Sequence, residues 1–140
     1  MKRVVFDTNT LISGIFWGGA PNAAWLAALD QRFILLTSDA LLSEFRVVVS
    51  REKFGARLKA QNETVDGLLA KLTKIAVRVE PADLPPIIKA DPKDDMIVMC
   101  AVGGKADLII SGDHHLLDLG AYEDIAIVTV NVFLEMIAES

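Results

Sequence analysis

Four carboxylates sit where their apolar neighbours alone would not put them. Asp7 closes the run V-V-F, Asp113 follows L-I-I-S-G, Glu44 shares a helical face with Leu41 and Val48, and Asp94 lines up with Ile97, Val98 and Ala101. If the four converge, repulsion sets the chemistry: two like charges about 4 Å apart at an effective dielectric of about 20 cost about 4 kcal/mol. Such a cluster binds cations or holds protons. Oxygen donors favour Mg2+ or Mn2+; zinc wants Cys or His, and neither His114 nor His115 has a partner at metal-site spacing. Each acid also has a plainer use. Asp7 can cap a following helix, Asp113 can serve a turn, and Glu44 can reach solvent from the edge of an apolar stripe. In D-P-K-D-D, Asp91 suits an N-cap, and acids in the first turn favour the helix dipole. Their origin in four separate elements, which an open parallel sheet would bring to one end, favours a common site.

The elements that would position these acids can be read from periodicity. Short apolar runs at 3–6, 33–36, 77–79, 108–110 and 125–128 read as buried strands. Between them lie helical patterns at 21–30, 39–50, 62–76, 94–103 and 131–138. That alternation predicts an α/β fold with a parallel sheet and crossover helices on both faces. Ligand crevices of such sheets lie beyond the carboxyl ends of the strands, where Asp7 and Asp113 fall. Pro81, Pro85 and Pro86 mark a long loop after the third strand.

The chain of 140 residues, 52% hydrophobic and 24% charged, has material for one packed domain over 1–140 and too little polar bias for disorder. The longest uncharged stretch, Thr8 to Leu29, is broken by Asn9, Ser13, Gly14, Gly18, Gly19, Pro21 and Asn22, so it does not read as a membrane span. Lys2 and Arg3 precede only three apolar residues before Asp7, which does not make a signal peptide, so a cytoplasmic protein is expected. The lone Cys100, among Ile97, Val98, Met99 and Ala101, reads as a packing residue. A net charge of −5 excludes a protein that coats nucleic acid, though not a nuclease whose carboxylates lower the total.

Charge distribution matters more than the sum. From Arg46 to Lys59 five basic residues, Arg46, Arg51, Lys53, Arg57 and Lys59, face a single acid, Glu52. Starting two residues after Glu44, this segment either leads a nucleic-acid strand toward the acids or forms a solvated helical face.

Taken in order, V-V-F-D-T-N-T-L-I-S-G, F-W-G-G-A-P, S-D-A-L-L-S-E-F, D-P-K-D-D-M and A-D-L-I-I-S-G-D-H-H-L-L resemble a PIN domain. More narrowly they are similar to the VapC-like toxins of prokaryotic toxin-antitoxin modules, over about residues 3 to 137. The resemblance implies a three-layer α/β/α sandwich with five parallel strands in the order 3-2-1-4-5, and ribonuclease activity dependent on Mg2+ or Mn2+. It places the family's acidic quartet on Asp7, Glu44, Asp94 and Asp113, with Asp95 or Asp91 as alternatives for the third acid. One or two ions would sit on Asp7, Asp94 and Asp113, with Glu44 as a further ligand or as the residue that positions water. Asn9 and Ser111 match polar positions that hydrogen-bond the ligands or the phosphate. The resemblance also implies an RNA substrate, a cognate antitoxin and a homodimer; Trp17, Trp25 and Phe54 are candidate contacts for such a partner. Two other readings compete. A strand-end aspartate also opens haloacid-dehalogenase-like phosphatases, but they want a second Asp where this chain has Asn9. A PIN-like module could instead bind RNA or a partner without cutting.

Overall fold

The computed structural model describes residues 1–87 and 92–138. The chain opens with β1 (Arg3–Phe6), whose end residue hands over to Asp7, the N-cap of α1 (Thr8–Phe16). The Asp7 carboxylate accepts the Thr10 N–H at 2.7 Å, satisfying one of the donors that every helix start leaves open. Then α2 (Ala20–Leu29) begins after Gly19, whose φ of 86° suits glycine, and has a proline in its first turn. The sequence pattern shows no helix over Thr8–Phe16 because Gly14 interrupts it. A Cβ there would stand 2.6 Å from the Pro21 carbonyl oxygen, so the glycine lets α1 and α2 pack backbone to backbone.

β2 (Ile34–Thr37) leads through the N-cap Ser38 into α3 (Asp39–Val49). A 3-10 turn at Glu52–Phe54, α4 (Gly55–Ala60) and α5 (Val65–Ile75) follow, before β3 (Val77–Arg78). Beyond the loop come α6 (Pro92–Gly103), β4 (Leu108–Ile110), α7 (His114–Leu119), β5 (Ala121–Tyr122), β6 (Ile125–Val128) and α8 (Val130–Ala138).

The sheet runs β3-β2-β1-β4-β6-β5. Its first five members pair in parallel, so the α/β fold and the order of the parallel strands are as expected. The expected five-stranded sheet has a sixth strand: β5 pairs antiparallel with β6 through Ala121–Ala126 and Tyr122–Ile125. Two residues carry no periodicity, which is why pattern alone misses it. Two boundaries also move. Phe33, expected in the second strand, sits just before it with its ring in the core, and Val79, expected in the third, only extends it through an N–H bond of 2.8 Å to the Thr37 carbonyl.

Alternation along the strands splits the core in two. Val4, Phe6, Leu35, Leu108 and Ile110 face α1, α2, α3, α5 and α8, whereas Val5, Leu36, Ile109 and Ile127 face α6 and α7. Among the described residues no helix is long and apolar enough to cross a membrane.

Candidate active site

At the carboxyl end of the sheet both layers open onto one cavity of about 170 Å3. Asp7 reaches it from the end of β1, Glu44 from α3, Asp94 from the first turn of α6, and Asp113 from the turn after β4. Elements from both faces meet there, so acids 19 to 106 positions apart in sequence share one space. Asp95 does not line it. Its carboxylate accepts the Ile87 N–H at 3.3 Å, tying the preceding loop to α6, while Asp91 lies outside the described residues.

Asp7 is 6% exposed, and its carboxylate is held from two sides. One oxygen takes the Thr10 N–H; the other accepts the Ser111 hydroxyl and the Gly112 N–H, the latter at 3.3 Å. Ser111 Oγ in turn accepts the Asp113 N–H at 2.9 Å, and Asp113 caps α7 by accepting the His115 N–H at 2.7 Å. Ser111 therefore fixes Asp7 and the turn that carries Asp113 in one relay. The cap expected of Asp7 is real, Asp113, expected in a turn, caps α7, and both contacts orient carboxylates that line the cavity. Asn9 lines the same space, as do Arg51 and Lys93. Lys93 is a site residue that the three acids of D-P-K-D-D overshadow in the sequence. Its place beside Asp94 was the available signal.

The donor set suits a hard cation. Glu44 Oε2 is buried and has no hydrogen-bond partner among the described residues, a costly state that a bound ion or its water would relieve. All the candidate donors are oxygens, as Mg2+ and Mn2+ prefer. Yet among the described residues no three His, Cys, Asp or Glu side chains close on a common point. The acids line a cavity without converging on one atom, an arrangement compatible with Mg2+, which keeps several of its waters.

A second, wider cavity of about 530 Å3 adjoins the first and shares Asp7, Asn9 and Asp113 with it. Thr10, Ser13, Thr129 and His114 add hydroxyls and an imidazole to its wall. Of the two histidines, His114 thus stands beside the acids, and His115 stacks on it with ring centroids 4.0 Å apart.

The basic segment does not act as one patch. Arg46 is two positions from Glu44 on α3, hence on the opposite side of the helix, and pairs with Asp66 at 2.9 Å. Arg51 alone of the five lines the acidic cavity. Lys53 and Arg57 sit against aromatic rings, 5.1 Å from the Phe54 centroid and 4.8 Å from that of Trp17, and Lys59 is exposed. Of the three aromatics expected as partner contacts, Trp25 is buried where α1 and α2 pack and Phe54 is buried against the Phe16 ring at the end of α1; Trp17 is exposed.

A parallel α/β sheet with a polar, acid-lined cavity outside its strand ends has its candidate site where this fold class carries ligands. The chain belongs to the PIN domain family, whose model matches residues 3–115 and so spans all four acids. Members of that family are generally nucleases. Among curated proteins nothing matches the chain.

Proposed function

We propose that this protein is a ribonuclease that hydrolyses RNA phosphodiester bonds with Mg2+ or Mn2+, and that it serves as the toxin of a type II toxin-antitoxin module. The observation that carries the nuclease reading is the shared cavity of Asp7, Glu44, Asp94 and Asp113, with Arg51 and Lys93 on its wall. The toxin reading rests on the order and spacing of the sequence motifs, and it implies a cognate antitoxin as binding partner.

Asp7, Asp94 and Asp113 would hold one or two ions, with Glu44 supplying a further ligand or orienting a water. The bound metal supplies an activated water and neutralises charge on the leaving oxygen. The chain's own contribution is positioning. Ser111 and Thr10 hold Asp7 in one rotamer, so the carboxylate needs no reorganisation when substrate enters. Arg51 and Lys93 offset the repulsion between a carboxylate-lined cavity and a polyanion.

Incubating the purified protein with single-stranded and structured RNAs, with and without Mg2+ or Mn2+, tests this reading. Asp7→Asn and Asp94→Asn should each lower the rate about a hundredfold or more, and Asp95→Asn should leave it within a few-fold of the parent. Equal cleavage by Asp7→Asn would assign the activity to a contaminant. Turnover of a small phosphomonoester with no RNA cleavage would favour the phosphatase alternative.

A further inference from the structure

The outer face of α1 forms a track leading away from the acids. Asn9, Ser13 and Trp17 follow one another at four-residue intervals, so they lie on one side of the helix, with Trp17 at its C-cap. Asn9 lines the acidic cavity, and all three line an adjoining groove of about 420 Å3 together with Ile12, Lys53 and Phe54. The track ends roughly 12 Å along the helix from Asn9.

Trp17 is the one aromatic of this region left open, at 43% exposure. Its ring is nonetheless held firmly. Phe16 and Phe54 stack on each other with centroids 5.4 Å apart, and both meet Trp17 edge-on, at 6.0 and 6.1 Å. The Arg57 guanidinium lies over it at 4.8 Å while donating to the Phe16 carbonyl. Arg57 covers one face of the indole, so a nucleobase would stack on the other, while Lys53, over Phe54 in the same groove, offers a cation to the backbone. In a chain of net charge −5, this cation-flanked aromatic groove opens beside the acidic cavity and matches a polyanion that carries flat apolar groups.

We propose that Trp17 is a stacking platform for an unpaired nucleobase, a substrate subsite at the far end of α1 from the acidic cavity. The proposal rests on the nuclease reading and narrows it. Substrate would have to present an unstacked base a short stretch of strand away from the bond that is cut. A duplex keeps its bases paired and cannot use the subsite. Arg57 then acts as a positioning residue that fixes the indole, and Lys53 meets the strand's phosphates.

The test is a fluorescence titration of the full chain in EDTA, where no cleavage can occur, with a 12-nucleotide oligoadenylate, about the length several single-strand binding folds cover. Trp25 is buried, so quenching reports on Trp17. Saturable quenching by the single strand, and none by the same oligomer annealed to oligouridylate, supports the proposal. Both Trp17 variants lack the reporting indole, so their affinities and the parent's are compared by the anisotropy of a fluorescein-labelled oligomer: Trp17→Ala should weaken binding about tenfold or more, and Trp17→Phe, which keeps a π-face, should weaken it less. Affinity of both variants within twofold of the parent overturns it, as does equal quenching by the duplex. A silent titration combined with a dimer that Trp17→Ala dissociates also overturns it and gives the groove to a second copy of the chain. The two readings fail separately: quenching without metal-dependent cleavage removes only the nuclease, whereas cleavage whose KM is unmoved in Trp17→Ala removes only the platform.

Discussion

The two layers that sandwich the sheet are built from different materials. All six phenylalanines and Trp25 lie in the layer of α1, α2, α3, α5 and α8. The opposite layer, α6 and α7, is aliphatic and closes around Val98, Cys100 and Ala101, each wholly buried. Large rings fill thick space with few residues and order one another: Phe33 and Phe133 meet edge-on at 4.9 Å, and both contact Phe6 at the end of β1. Small residues instead let a helix approach the sheet closely. The acidic cavity takes Glu44 from the first layer and Asp94 from the second, so its shape depends on both modes of packing. The difference teaches that the aromatic layer should govern stability, whereas the aliphatic layer should govern where Asp94 sits.

The largest effect should come from Phe133→Ala. Phe133 is wholly buried, and its loss removes two ring contacts and opens a cavity behind β1. A cost of about 3–5 kcal/mol is expected in urea denaturation, with cleavage per folded molecule little changed. A loss below about 1 kcal/mol would mean that the rings rearrange freely, and the contrast between the layers would fail.

Next comes Gly103→Ala at the end of α6. A Cβ there would fall 2.0 Å from the Glu80 carbonyl oxygen and 2.7 Å from the Ala82 nitrogen, both backbone. Those atoms belong to the loop after β3, which is fastened to α6 by the Ala82 N–H to Met99 at 2.9 Å and by the Ile87 N–H to Asp95. Displacing the loop should cost about 1–3 kcal/mol and, unlike Phe133→Ala, should lower cleavage per folded molecule because α6 carries Asp94. Full specific activity in the folded variant would uncouple the aliphatic layer from the cavity.

Much of this is legible in the amino-acid sequence. Strands one, two and four stand out because their residues are buried on both faces, which turns them into uninterrupted apolar runs. Asp7 and Asp113 are visible for the same reason, one directly after such a run and the other three residues beyond its end. What escaped is short or depends on packing. The β5 strand is two residues long, α7 six, and α1 hides behind a glycine that only its contact with Pro21 explains. The basic segment misled because linear density of charge says nothing of direction: Arg46 and Arg51 are five residues apart, yet one meets Asp66 and the other lines the cavity. Choosing between Asp94 and Asp95 needed the loop, since what turns Asp95 aside is the Ile87 N–H.

The smallest effect concerns Cys100, and it probes how dry the aliphatic layer is. Burial pushes its thiol up from 9.0 to about 11, against a weaker opposing pull from the Ser38 hydrogen bond. Below pH 9 the thiol is protonated in both the folded and the unfolded chain, and stability is unaffected. Between 9.0 and about 11 the unfolded chain releases this proton while the folded one keeps it. The folded state then binds more protons, so stability must fall as pH rises, by at most about 1.4 kcal/mol per pH unit, and level off once the folded thiol ionises. The parent should be compared with Cys100→Ala, which keeps every other group and so isolates the thiol. Alanine leaves a small void and should start less stable near pH 8, then gain on the parent as the solution becomes more alkaline. Denaturation curves whose separation stays constant from pH 8 to 11 would mean that the folded thiol ionises as readily as the unfolded one. In that case water reaches α6 from behind, and close packing of that layer could not be what holds Asp94 at the cavity wall.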